Sequence, residues 1–572
     1  MFVRSCWPLL LSLLFCNAFA KPSTKREVIP RDTGASSNFV TQQGDKLMVN
    51  GSTFNYIGTT AYWLSSLNTD EDIDFTLGNI SQAGFNVVRT WAFNDVETIP
   101  ENGTWIQLIQ NGTLLINEGP NGLQRLDKVI ELAKKHGLYI LLSLTNNWNP
   151  RPLTDNIQVV DPLSALRLGA RDVTPGTNNS LPRGFLSNDY GGMDAYVRQF
   201  GGPREHDQFF TNQTLINAFK NFTSQIVSRY ANNTNVLAWE LANDPQCSSS
   251  INASSSCIAQ HVTRWHSDVA QHVKQLDPNH IVASGHQGFL CTDCPKLFPR
   301  VTAPPPRPSP RAEARRSVLP WTRERILKER KEAFKKTREL AKKSGQSGDG
   351  IRIRGRWVST PTRRQDSGLG SAFDGSHGVD SEDIFNIPEI GLGSFMVFPD
   401  QVKYGPDDPN LPPFNNTVKQ GQDWIRSNVD MARLFGKPVT MSGFGLVTQP
   451  NTQAFVPFNS SVAPFASDSN LAPQTPFATN DQQIDAYQQW MQTGILGGVQ
   501  GMIHYQWMQP GLTAQPGTTI SPDVTQAPTS PDITHTTSSP NDGYGDQDTA
   551  PLSSIVQQFA PDFQNRQGTV VV

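Results

Sequence analysis

The sequence has few cysteines, six in 572 residues, and little net charge, with 48 Lys and Arg against 51 Asp and Glu. It also has no apolar run beyond its N-terminus long enough to cross a bilayer. The balanced charge gives no overall reason to expect nucleic acid as a partner. The missing run argues against a membrane partner, and the Thr-Val-Val-Val ending is too short for a lipid-anchor signal. What is present at the N-terminus reads as a secretory signal over residues 1–20. Arg4 supplies positive charge, Cys6 to Cys16 is a short apolar run, and Ala18-Phe19-Ala20 is a small-residue cleavage site. Lys25-Arg26 looks like a dibasic processing site, so residues 21–34 read as a propeptide or disordered N-terminus.

Removing the signal leaves Cys247, Cys257, Cys291 and Cys294, an even number suited to an oxidising compartment. Cys247–Cys257 and Cys291–Cys294 disulfides are expected, each closing a short loop. Zinc would need a second CxxC pair or nearby His ligands, so neither a metal nor a cofactor is expected. Asn50, Asn79, Asn102, Asn111, Asn178, Asn212, Asn221, Asn232, Asn252, Asn415 and Asn459 all stand in N-x-S/T triplets. That density agrees with a secreted, extracellular protein, which is expected to be a monomer.

From about residue 35 to residue 300, short β-like runs alternate with amphipathic helices. Phe54 to Leu64, Phe85 to Trp91, Tyr139 to Leu144, Val236 to Leu241 and His280 to Ser284 read as strands. Ile73, Leu77 and Ile80 mark one helix face, and Leu123, Leu126, Val129, Ile130 and Ala133 another. Leu215, Phe219, Phe222, Ile226 and Tyr230 mark a third. Gly84 and Gly137 are placed to end the first two. The pattern resumes with strands at Ile390 to Phe398, Pro438 to Met441 and Val499 to Tyr505, and the chain closes on a helix, Leu552 to Phe559. Eight strands alternating with helices predict an α/β chain folded as a (β/α)8 TIM barrel, with functional residues at the C-terminal strand ends.

Two segments do not fit this rhythm. Residues 303–369, between strands five and six, form a basic insertion of about +12 by residue count, so the rest of the chain is acidic. Three readings stand for it: a solvated surface excursion, a binder of an acidic wall polymer, or retained intron sequence. Its stretch Arg323 to Lys343 has helical composition. Pro510 to Asp546 is rich in Pro, Ser and Thr and reads as a flexible loop within the barrel, open to O-glycosylation.

The strand ends carry a set of motifs that, taken in order, resemble those of one known family. Gly58-Thr59-Thr60-Ala61-Tyr62-Trp63-Leu64 resembles the first-strand motif and Phe85-Asn86-Val87-Val88-Arg89-Thr90-Trp91 the second. Asn146-Asn147-Trp148 follows strand three, and Tyr190-Gly191-Gly192-Met193-Asp194-Ala195-Tyr196 is similar to the loop after it. Trp239-Glu240-Leu241-Ala242-Asn243-Asp244-Pro245 resembles the strand-four signature. Gly285-His286-Gln287-Gly288 and Phe395-Met396-Val397-Phe398-Pro399-Asp400 resemble strands five and six. Together these motifs resemble those of the fungal endo-β-1,4-mannanases of glycoside hydrolase family 5, and the resemblance spans most of residues 40–300 and 370–560. It implies the barrel, a long glycan-binding cleft, and retaining hydrolysis of β-1,4-mannan.

That chemistry needs two carboxylates about 5–5.5 Å apart, one nucleophile and one acid/base. Where the family has the acid/base Glu, this chain has Asp244, one methylene shorter; a misplacement of about 1 Å can cost about a hundredfold in rate. Where the family has the nucleophilic Glu at the end of strand seven, Lys437-Pro438-Val439-Thr440-Met441-Ser442-Gly443-Phe444-Gly445 places Gly443, which has no side chain. Ser442 is adjacent, but neighbouring strand residues face opposite ways. The family's His-x-Tyr on strand six is replaced by Met396 and Phe398. Gln287 stands where the family often has Glu, and Tyr505 where strand eight usually offers Trp. Arg89, Asn243 and Trp148 match the family.

An inverting route would need a second carboxylate about 6.5–9.5 Å from Asp244, and the sequence names no candidate. Trp63, Trp91, Trp148, Tyr190, Tyr505 and Trp507 lie at or beyond strand ends, where aromatic faces can stack on sugars or simply fill the core. Trp148 and Tyr505 are the expected sugar contacts, with Arg89, Asn243 and Gln287 lining the same site. Two functions remain: an impaired mannanase-type hydrolase, and a non-catalytic binder of β-mannan or a related β-1,4-glycan.

Overall fold

A computed structural model of the chain describes residues 38–150, 181–300, 370–460, 477–521, 536–545 and 549–564, together with two short strands, Ile351–Ile353 and Arg356–Val358. The signal and propeptide readings, Asn178, and the helical reading of Arg323 to Lys343 lie outside the described residues.

Eight parallel strands form one sheet: β1 (Tyr56–Thr60), β2 (Val87–Trp91), β3 (Tyr139–Ser143), β4 (Val236–Glu240), β5 (Ile281–Ala283), β6 (Gly393–Val397), β7 (Val439–Phe444) and β8 (Gly501–His504). Their order is β5-β4-β3-β2-β1-β8-β7-β6. A parallel bridge from Ala283 to Leu392 joins the two ends and closes the barrel. Apart from the half-buried Tyr139 at the start of β3, every residue of the eight strands is buried, which is why they read as apolar runs rather than alternations.

The helices follow the strands in turn: α1 (Asp70–Gln82), α2 (Leu123–Lys135), α3 (Gln213–Tyr230), α4 (Ala259–Leu276), the short α5 (Ser381–Phe385), α6 (Pro413–Phe435), α7 (Asn480–Gly497) and α8 (Ala550–Gln564). Their predicted faces are the buried ones: Ile73, Leu77 and Ile80 on α1, and Leu126, Val129, Ile130 and Ala133 on α2. Local signals fix their ends. Thr69 accepts from the Asp72 amide and three acids fill the first turn of α1, where the helix dipole favours negative charge. Thr479 and Gln482 form a reciprocal capping box on α7.

The N-terminal end of the barrel is sealed. Val40, Leu47 and Phe54, in or next to three short antiparallel strands before β1, share a buried cluster with Tyr56, Val87, Leu141, Ile281 and Ile503. The opposite end, where the strands finish, is the one left for a site.

The segment read as a flexible Pro/Ser/Thr-rich loop is largely packed where it is described. Leu512–Thr513 pairs with Thr536–Thr537, and Leu512, Ile520, Ser539, Asp542 and Tyr544 are buried. Its composition masked the few large residues that carry its return path into the barrel mouth.

Candidate active site

The interior beneath the mouth is polar. Arg89 on β2 and Glu240 on β4 are both buried, and Arg89 Nη2 donates to Glu240 Oε1 at 2.5 Å. Ser143 on β3 also donates to Glu240. Removing a partner from such a pair leaves a buried charge without compensation. Arg89 Nη2 reaches onward to Asn243 Oδ1 at 2.7 Å, and Asn243 Nδ2 donates to Asn146 Oδ1 at 2.8 Å. Arg89, Asn243 and Asn146, all in motifs that resemble the family's, are therefore joined in space, and Glu240 is the partner of Arg89 that motif comparison passed over.

Asp244 sits just past β4 with φ at 53°, in the left-handed region that Asp tolerates better than most residues. One carboxylate oxygen, Oδ2, accepts from Trp148 Nε1 at 2.8 Å, Gln246 Nε2 at 2.8 Å and Gln287 Nε2 at 3.0 Å. The other oxygen, Oδ1, is buried without a protein donor. Burial pushes the Asp244 carboxyl up to about 6, and the three donors offset part of that rise.

Gln246 is itself held. Its Oε1 accepts from His377 Nδ1 at 3.0 Å, and the His377 ring stacks on Phe289 at 3.8 Å. His377 lies in a short segment clamped by both disulfides. Cys247–Cys257 and Cys291–Cys294 are formed as expected. Asp374 bridges to Cys291, and the Cys247 amide donates to His377 O at 3.0 Å. Gly378, at φ +65°, lies so close that a Cβ would stand 2.1 Å from Cys247 Sγ. Asp207, Cys257 and His261 come within ligating distance of one another, but the Cys257 sulfur is bonded to Cys247.

The other side of the mouth is different. Gly443 on β7 pairs with Met396 on β6 across a bulge that leaves Ser442 as the extra residue. Ser442 Oγ donates to the Phe395 carbonyl at 3.3 Å, so it is not poised against a base. A Cβ on Gly443 would stand 3.0 Å from Phe398 Cζ and 3.7 Å from Met396 Cγ. Phe398 is fixed by edge contacts to Phe458, Tyr505 and Tyr544, with ring centroids 5.3, 5.4 and 5.5 Å away. The Tyr404 hydroxyl accepts from the Phe398 amide at 2.8 Å.

Between the two sides lies a cavity of about 10 Å3 lined by Arg89, Asn243, Asp244, Gln287, Met396, Phe398, Phe458 and Tyr505. That is room for about one water. Asp244 is the one carboxylate among these lining residues.

Tyr505, expected to contact sugar, lines this cavity but is enclosed. Its hydroxyl donates to Asp542 Oδ2 at 2.7 Å, and its ring is packed by Tyr62, Phe398, Phe458 and Tyr544, which leaves it 3% exposed. Trp63, Trp91, Tyr190 and Trp507 are core residues at 0–3% exposure. Trp148 alone of the six stays partly exposed. Sequence reasoning missed Phe458, Asp542 and Tyr544, which reach the site from loops. Asp542 is buried, accepts from Ser187, Tyr505 and Gln506, and is pushed up by burial to about 6.

The mouth of a closed parallel barrel thus carries an Asn-Asp pair at the end of strand four, above a buried Arg–Glu pair. The sequence model of the family described as "Cellulase (glycosyl hydrolase family 5)" matches residues 47–322. Over residues 47–322 the chain is thus similar to glycosyl hydrolase family 5.

Among curated relatives, mannan endo-1,4-beta-mannosidase F of Aspergillus fumigatus is 34% identical over 274 residues, 47% of this chain and 51% of that protein. Mannan endo-1,4-beta-mannosidase A of Aspergillus aculeatus is 32% identical over 261 residues, 46% of this chain and 57% of that protein. The matched chain thus spans about half the length of these relatives. Of solved structures, the endo-1,4-beta-mannanase of Rhizomucor miehei superposes with a TM-score of 0.55 at 20% identity, covering 92% of this chain and all of that one, a likeness of fold.

Proposed function

We propose that this chain is a secreted, mannanase-type member of the family in which retaining hydrolysis is impaired, with β-mannan or a related β-1,4-glycan as its ligand. The observation that carries this is the Phe398 ring lying against the bare backbone of Gly443, where the attacking carboxylate would have to stand. Asp244 can hold a proton near neutral pH, as a general acid must. It has no second carboxylate opposite it in the cavity. The space between them also falls far short of a sugar ring. Trp148, partly exposed beside Asp244, supports glycan recognition at the rim, and the two disulfides support secretion.

Reducing-end release from mannan and affinity electrophoresis in the same polymer test the two halves of this reading. Retardation without release is expected. Release at an ordinary mannanase rate would end the claim of impairment, and absence of retardation would end the claim of mannan binding. Repair sharpens it. Asp244→Glu with Gly443→Glu restores the two carboxylates, but the new side chain at 443 meets Phe398, so the triple variant with Phe398→Ala is the one expected to gain activity. A folded, mannan-binding triple variant that stays inert would show that the cleft differs beyond these positions.

A further inference from the structure

Away from the barrel mouth, an open groove of about 500 Å3 runs between α3 and the hairpin Gln107–Gln110/Thr113–Ile116. Small-ligand sites run from about 300 to 1,000 Å3. Leu114, Ile116, Phe200 and Phe222 give it apolar walls, and Asn217 and Gln225 add amide groups. This combination of apolar faces and hydrogen-bonding amides suits a pyranose ring, which has both.

Three glycosylation triplets meet at this groove: Asn111-Gly112-Thr113 in the hairpin turn, Asn212-Gln213-Thr214 at the start of α3, and Asn221-Phe222-Thr223 within it. Gly112, Thr214, Asn221 and Phe222 are themselves lining residues. The Asn212 side chain caps α3 by accepting from the Thr214 amide at 2.9 Å. Asn221 is exposed and stands in the groove wall. We infer that Asn221 carries an N-linked glycan whose first sugars lie in this groove and cover its apolar walls.

The geometry dictates when the glycan is added. Thr223, whose hydroxyl the acceptor triplet requires, is fully buried and its Oγ1 has no partner. The triplet is therefore readable only before α3 packs, and the sugar settles on the groove as the chain folds. The inference rests on the reading of the chain as secreted, and not on its catalytic state.

Full-length protein from a eukaryotic secretory host, digested and analysed by peptide mass spectrometry, reports each occupied asparagine. Enzymatic glycan release from the folded protein then reports contact with the groove. Asn50 is the reference, because it is exposed in a turn with open space around Gly51. Asn221 is expected to be occupied. Its glycan is expected to be released at least about tenfold more slowly than that at Asn50 in the folded protein, the ratio that about 1.4 kcal/mol gives, and equally fast after denaturation. Phe200→Ala should erase much of that protection. Thr223→Ala should remove one glycan mass and leave the fold intact, since its hydroxyl bonds nothing. An unmodified Asn221 beside an occupied Asn50, or equal release rates in the folded protein, overturns the inference. If no asparagine in the chain is modified, the secretion reading falls and takes this inference with it.

Discussion

The two sides of the barrel mouth are built on one backbone frame and filled with opposite chemistry. On the β2–β5 side, Arg89, Glu240 and Asn243 form a connected polar network, and Asp244 is held beside it by Trp148, Gln246 and Gln287. On the β6–β8 side, Met396, Phe398, Tyr505 and the incoming Phe458 and Tyr544 pack as an aromatic core. The parallel ladder runs through both sides. The contrast teaches that the strands do not need catalytic groups at their ends to stay paired. Apolar replacements for buried polar groups are often neutral or stabilising when they fill the same volume.

The largest expected effect breaks the polar side. Arg89→Met should cost about 3–5 kcal/mol, because it strands the buried Glu240 carboxylate, and a fall in the urea midpoint would measure it. Next, Phe398→Ala should cost about 3 kcal/mol through the cavity it opens on the aromatic side. Gly443→Glu should then be less destabilising in the Phe398→Ala background than alone, with a coupling of about 0.5–3 kcal/mol in a double-mutant cycle. Additive effects would mean that Phe398 does not guard that position.

Asp244→Asn is expected to stabilise. The Asp244 carboxyl is raised by burial from its ordinary 3.8 to about 6. The folded state thus holds the proton more tightly than the unfolded chain, and native stability falls as pH rises through that window. Above about pH 6 the buried charge costs its full amount, on the order of 1–3 kcal/mol. Asn removes that cost while its oxygen still accepts from Trp148 and Gln287. The gain in melting temperature should be clear at neutral pH and disappear toward about pH 4. The smallest effect is His377→Ala, a loss of about 1 kcal/mol with the Gln246 bond, seen as a small shift in the same pH profile.

The eight strands were legible because a strand buried on both faces leaves an apolar run, and α1 and α2 because their buried positions recur at helical spacing. Asp244, Gly443, Met396 and Phe398 could be placed because they lie within or next to those strands. Phe458, Asp542 and Tyr544 could not, since they arrive from loops whose return path no periodicity records. For the same reason Tyr505 read as an open sugar platform. Its strand position was right, but the rings that cover it come from elsewhere in the chain. Glu240 was present in a quoted motif yet had no assigned role until its distance to Arg89 was known.

The segment Asp374–Gly378 is tethered to one disulfide at each end, and it comes soon after residues 303–369. The described residues on either side of that stretch are held to the barrel, Phe298 through its amide to Asp383 Oδ1 at 2.6 Å and Ala372 through its carbonyl to the Leu290 amide at 2.9 Å. Doubling the length of such a connection adds only about 0.6 kcal/mol of closure entropy. Sequence grafted between those two held flanks is therefore expected to leave Gln246 and Asp244 undisturbed, and an unchanged melting temperature on lengthening the stretch would check it.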